Sequence, residues 1–217
     1  GFWQQVSQRI NRIPSNVIFW GIFGINGAVF VLWQVASTQW QQSQDPTLLT
    51  FMFMHFTSSK WNVDNGRIWT LITSSFSQKD VGHLLFNGFS YYFTVPSILF
   101  ALGNTGFLAL YLGAGLVASV SSIWWHTAVQ KQSKFSSLGA SGALYGVLSF
   151  FACMAPRATF FIFGVVPCPA WLCISGVFIW DGVSALSGTR QGTDTAGHIG
   201  GILGGIGYYL LRTRLRI

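Results

Sequence analysis

The sequence predicts an all-α, polytopic membrane protein: a bundle of six transmembrane helices with a long first loop carrying an in-plane helix. Three observations predict it. Charged residues make up 8% of the 217-residue chain, where soluble domains carry roughly 25%, and the mean hydropathy is +0.47. Charge is missing altogether from the long runs 13–44, 81–125 and 135–156, each of which has the length of one or two membrane spans. Many of the 25 glycines fall inside the apolar runs, where small residues let helices approach closely in lipid. High hydrophobicity excludes disorder, and a soluble globule of this size would need far more surface charge. Glutamate is absent, and the acids are Asp45, Asp64, Asp80, Asp181 and Asp194, so neither a Glu general base nor an HExxH zinc helix can be built.

Residues 1–16 form an N-terminal flank with Arg9 and Arg12. The first span covers 17–36. Residues 37–80 are mixed and hold Lys60, Arg67, Lys79 and three of the five Asp. Inside this loop 48–56 is apolar but too short to cross, as expected of an interfacial helix. The next 45 residues, 81–125, carry no charge and are interrupted by Leu102, Gly103, Asn104, Thr105 and Gly106. This turn chemistry divides them into spans at 81–101 and 106–125. Lys131 and Lys134 mark a polar loop, and a fourth span at 139–155 ends at Arg157. The apolar stretch 158–166 runs into Pro167, Cys168 and Pro169. It is expected to lie on the surface ahead of a fifth span at 168–186. Arg190 precedes a sixth span at 194–211, and 212–217 is a basic tail with Arg212, Arg214 and Arg216. Lys and Arg divide six against six between the two sides, which leaves the orientation open under the positive-inside rule.

The net charge of +7 sits in the gaps between apolar runs, where it suits lipid headgroups and not nucleic acid. Cys153, Cys168 and Cys173 have no CxxC spacing, which argues against a disulfide framework or a zinc site. No cofactor and no metal are expected. The chain starts at Gly1 and not at Met, so an upstream targeting segment is expected.

Polar residues inside spans carry the chemistry. His83 and Asn87 are four residues apart in the second span, hence on one helical face. His198 lies in the last span among Gly197, Gly200, Gly201, Gly204 and Gly205, a GxxxG frame built for a close helix neighbour. The matching small-residue helix is the fourth span, opening Gly139, Ala140, Ser141, Gly142, with Tyr145 one turn on. A serine at a helix N-terminus exposes its hydroxyl beside free backbone N–H groups. Acyl transfer needs such a hydroxyl, a base and donors for the oxyanion. Ser141 fits the nucleophile and His198 the base. The Ser141 backbone N–H, His83 and Asn87 fit the oxyanion donors, and Tyr145 is placed to stack on His198. Asp194, four residues before His198, is expected to cap the last helix. Asp181 is given no catalytic role.

This ordered set, HxxxN, then GxSG with Tyr four residues after the Ser, then Gly-His in a GxxxG frame, resembles the rhomboid family of intramembrane serine proteases over about residues 17–211. The resemblance extends to the long first loop and to Arg67, Ile68 and Trp69 in the approach to the second span. It implies cleavage of transmembrane substrates by a Ser–His dyad without a carboxylate third member. It also implies Ser141 as nucleophile, His198 as base, His83 and Asn87 as oxyanion donors, and Tyr145 as the ring on the base. Gly139 and Gly142 would complete the serine motif, with Gly197 and Gly201 at the helix contact. Two places depart from the family pattern. Arg67 precedes Trp69 instead of following a Trp, and Ser77 to Val81 stands where many relatives carry a His.

The implied partners are single-span transmembrane proteins and the lipid bilayer, with the oligomeric state open. The alternative is a catalytically inactive relative that keeps the fold as a membrane binding or quality-control module. An aspartyl dyad of Asp181 and Asp194 lacks a convincing motif, and a carrier would be expected to show an inverted repeat. The fifth span or 158–169 is expected to move to admit a substrate. The strings around Ser141 and His198 resemble the mitochondrial branch, which implies the mitochondrial inner membrane, with a bacterial inner membrane as alternative.

Overall fold

The computed structural model describes residues 1–132, 134–162, 165–188 and 193–215. Nine helices are assigned among them, and three are long and apolar enough to cross a membrane: Ser15–Ser43, Val81–Val129 and Ala170–Ser187. The chain is thus an all-α polytopic membrane protein.

Helix α1 (Phe2–Arg12) occupies the expected flank and buries no residue. Phe2 and Trp3 are exposed on it, and Arg9 and Arg12 stand in its last turn, the make-up of a helix lying in the interface. Helix α2 (Ser15–Ser43) is the first span and ends at Gln44 in the left-handed conformation. Helix α3 (Thr47–Phe56) is the short apolar helix of the first loop. Strand β1 (Ser58–Ser59) and helix α4 (Lys60–Asp64) follow, with Ser59 accepting from the Asn62 backbone as the α4 cap. The buried Asn62 side chain donates to the carbonyls of Phe53 and Thr57 at 3.0 and 2.8 Å. Helix α5 (Thr70–Thr73) and a single 3-10 turn at Ser74–Phe76 complete the loop.

Helix α6 (Val81–Trp124) holds the second and third expected spans. It is broken at Gly103, whose φ of 66° and ψ of 174° are non-helical, a region that in practice only glycine occupies. The break is therefore one residue wide, and both flanks resume helical geometry. It is braced from outside. Asn104 donates to the carbonyls of Ile10 and Ile13 at 3.1 and 2.7 Å, and the Thr105 N–H donates to Asn11 at 2.9 Å. Helix α1 is thereby fastened to the turn.

A π-turn at Trp125–Val129 leads to strand β2 (Ser136–Ser137), which pairs antiparallel with β1, Ser58 opposite Ser137. Helix α7 (Ser141–Met154) starts four residues later. The stretch expected to lie flat is a hairpin of strands β3 (Thr159–Ile162) and β4 (Val166–Pro169). Extended pairing satisfies its backbone where two prolines forbid a helix. Helix α8 (Ala170–Ser187) and helix α9 (Thr195–Leu215) close the fold. Arg190 and Arg216, which punctuate the sequence there, lie outside the described residues.

The core lies between the two halves of α6 and α7, around Tyr91, Val95, Ile98, Phe107, Tyr111 and Val147. Helix α9 seats against both of these helices. The α7–α9 contact is glycine on glycine. A Cβ on Gly201 would run into the carbonyl of Gly142, and one on Gly205 into that of Gly146. The two backbones therefore touch along two successive turns.

Candidate active site

Three structural facts bring the site together. Helix α7 begins at Ser141 itself, because the extended segment before it is held in place. Ser58 and Ser59 of β1 pair with β2, and the Gly139 N–H donates to the Ser74 carbonyl at 3.0 Å. Second, Asp194 caps α9. Its carboxylate accepts from the Gly197 N–H at 2.8 Å and also from the Ser137 hydroxyl, so a single acid ties the start of α9 to the strand ahead of Ser141. His126 Nε2 lies 3.6 Å from the same carboxylate. Third, the Gly142–Gly201 approach places the second turn of α9 against the first turn of α7.

The result is a hydrogen bond of 2.9 Å between Ser141 Oγ and His198 Nε2. His198 is 9% exposed. The Tyr145 ring meets the imidazole with centroids 4.6 Å apart and planes 65° apart. The expected ring-on-ring contact is thus present, edge-on.

On its far side His198 meets an acid. Its Nδ1 lies 2.7 Å from Asp181 Oδ2, and Asp181, on α8, is 1% exposed. A carboxylate at this place could only accept, which would put the ring proton on Nδ1 and leave the Nε2 lone pair to the Ser141 hydroxyl. The expectation from sequence assigned Asp181 no catalytic role. Nothing in a helical period points from α8 to α9, and only the contact itself reveals the pairing.

A polar cavity of about 20 Å³ lies over the pair, lined among others by Ser58, Ser74, Ser119, Ser137, Ser141 and His198. That is room for about one water. Ser74 and Ser119 hydroxyls are 3.2 Å apart in its wall.

The other expected residues are placed as follows. Gly139 precedes the serine, and a Cβ there would stand 3.2 Å from Ser141 Oγ. Gly142 and Gly197 line the cavity. Asn87 is buried, but its amide donates to Gln78 Oε1 at 3.0 Å. It lines a separate, larger cavity of about 360 Å³ that borders Ala140 and Leu144 of the serine helix. His83 is not brought to Ser141. Its side chain is 69% exposed and sits 3.7 Å from Asp80. Asp80 is the α6 cap, accepting from the His83 N–H, so His83 is in the first turn, beyond the packed part of the helix. Gln78, which organises Asn87 and reaches on to Asn26 at 3.3 Å, escaped the sequence analysis. Among the described residues no group of three or more His, Cys, Asp or Glu could hold a metal ion.

A family described as the Rhomboid domain matches residues 65–215, more than half of the chain. The chain belongs to the rhomboid family. Rhomboid protein 1, mitochondrial, of Saccharomyces cerevisiae is 32% identical over 202 residues, covering 91% of this chain and 54% of the yeast protein. RHOMBOID-like protein 12, mitochondrial, of Arabidopsis thaliana is 33% identical over 195 residues, with 83% and 54% covered. Presenilin-associated rhomboid-like protein A, mitochondrial, of Danio rerio is 29% identical over 209 residues, with 95% and 49% covered. This rhomboid thus spans about half the length of these curated relatives.

Proposed function

We propose that this rhomboid is an intramembrane serine endopeptidase, with Ser141 as nucleophile and His198 as base, that hydrolyses peptide bonds in or near transmembrane segments. The observation that carries the proposal is the 2.9 Å Ser141–His198 bond at the start of a helix, inside a polar cavity with room for a water. His198 Nε2 takes the hydroxyl proton as Oγ attacks the scissile carbonyl and gives it to the leaving amine as the C–N bond breaks. The backbone N–H groups of the first turn of α7, which have no intrahelical partner, face the developing oxyanion. Asn87 joins them if its amide turns from Gln78 toward the Ala140 side. His83 would have to move with the start of α6 to take part. Water then attacks the acyl-enzyme carbonyl, His198 again taking a proton.

Substrates are membrane proteins, and single-span segments suit an active site sunk between helices. Counting the two halves of α6 separately with α2, α7, α8 and α9 gives six crossings. At 14 residues, α7 is about 21 Å long, shorter than the roughly 30 Å hydrocarbon core of a bilayer. The names of the relatives support a mitochondrial membrane, and within it the inner membrane.

The test is cleavage of a single-span substrate by the full chain in proteoliposomes. Ser141→Ala and His198→Ala are each expected to lower the rate by about 10⁴-fold or more, and a fluorophosphonate is expected to label wild type at Ser141 alone. Cleavage that survives Ser141→Ala would sink the proposal. A wild type that neither cleaves nor labels would favour an inactive rhomboid.

A further inference from the structure

The geometry points to a third member of the site: Asp181 is a positioning residue that holds His198 in the Nδ1–H tautomer and balances the imidazolium during acyl transfer. This inference rests on the Ser–His proposal above and departs from the dyad that the resemblance implies.

The argument starts from burial. Asp181 is the one charged residue of α8 and is 1% exposed, on a helix whose neighbouring Ile179, Trp180 and Val183 are exposed. An acid inside an apolar helix is expensive unless it is paired. Here it is paired with the nitrogen of His198 that does not face the serine, at 2.7 Å. The line Ser141 Oγ, His198 Nε2, His198 Nδ1, Asp181 Oδ2 is continuous through bonds of 2.9 and 2.7 Å, the nucleophile–base–orienter arrangement of acyl-transfer sites. Asp194, the other acid near the site, is not a rival. It also lines the polar cavity, but its oxygens accept from Gly197 and Ser137, and the nitrogen of His198 that faces away from the serine meets Asp181 instead.

The proton account closes. As Ser141 Oγ bonds to the substrate carbonyl carbon, the hydroxyl proton passes to Nε2 and the carbonyl π pair becomes the oxyanion. The ring is now cationic, with both N–H groups engaged, one by Asp181. When the C–N bond breaks, the Nε2 proton goes to the leaving amine. Asp181 neither gains nor loses a proton. Its part is orientation and charge balance, so its loss should act on the chemical step and not on substrate binding.

The experiment compares wild type, Asp181→Asn and Asp181→Glu in proteoliposomes, measuring kcat and KM on a transmembrane substrate and the rate of fluorophosphonate labelling. Asp181→Asn keeps the shape but offers an NH₂ that favours the wrong tautomer. It is expected to lower kcat and the labelling rate by about 10²-fold or more, with KM changed by less than about threefold. Asp181→Glu, which keeps a carboxylate, is expected to recover part of the kcat. An Asp181→Asn protein with wild-type kcat overturns the inference while leaving the Ser–His proposal standing. A wild type that neither cleaves nor labels overturns both. If Asp181→Asn fails to fold, ¹⁵N-histidine spectra of wild type decide: a protonated Nδ1 with a bare Nε2 on His198 is expected, and the reverse tautomer overturns the inference.

Discussion

Lys79 shows how one side chain's setting becomes a measurable property. It stands just before α6, and its ammonium lies 4.1 Å from the Trp33 ring centroid and 4.0 Å from that of Phe53. Burial against these rings pushes its pKa down from the ordinary lysine value. A lysine whose folded pKa is depressed contributes stability that is fully present above its unfolded pKa and is lost as pH falls through the lowered one. The thermal midpoint of wild type in detergent should therefore gain on that of Lys79→Met as pH rises from 7 toward 10. Parallel midpoints across that range would refute the assignment. Residue-scale legibility in the sequence was uneven for a related reason. Ser141, His198 and Tyr145 could be singled out because motif and spacing both marked them, and the structure brings these three together. The His83–Asn87 spacing correctly puts both on α6, yet a shared face does not ensure shared burial. The helix starts at Val81, so His83 falls on an exposed first turn while Asn87 falls inside. Asp181 was noted but not joined to His198, because no motif or spacing marks the pair and its partner is on another helix.

At the scale of elements, breaks were harder to read than apolar runs. The sequence signalled a turn over 102–106, but the chain needs only Gly103 to make it, and α1, which braces that turn through Asn11 and the backbone of Ile10 and Ile13, went unread because its apolar residues are few. Similarly, 158–166 lacks the charge that would announce a loop, and only the prolines hint at a hairpin. Gly103→Ala tests the joint. The backbone conformation there is closed to a β-carbon, and the substitution is expected to destabilise by about 1–3 kcal/mol. Asn104→Ala should free α1 without disturbing the turn itself. Proteolysis near residues 1–13 should then accelerate in Asn104→Ala, whereas an unchanged digestion pattern would show that the Asn104 bonds are not what holds α1.

Across the whole molecule, the decisive feature is that α7 and α9 meet backbone to backbone. This was legible, since GxxxG frames on both segments pointed to a shared seam, and the structure places Gly142 and Gly146 under Gly201 and Gly205. The packing fixes the distance between the hydroxyl and the imidazole more firmly than either side chain could. Gly201→Val should therefore reduce stability by about 1–3 kcal/mol through overpacking, and should reduce cleavage by more than the loss of folded protein accounts for. That excess is read by normalising the rate to the folded fraction. A rate that merely tracks the folded fraction would show that the seam sets stability but not catalytic geometry.

Helix α8 is joined to this seam differently. It offers Trp171, Leu172, Ile179, Trp180 and Leu186 to its surroundings, while its one acid reaches inward to the imidazole. If α8, with so open an outer face, were the wall that leans aside for a membrane helix on the function proposed above, a wholesale swing would carry Asp181 away from His198. The wall and the chemistry would then be interlocked like a machine guard and its motor: the base would stand without its acid while the guard is ajar and regain it only when the wall settles back.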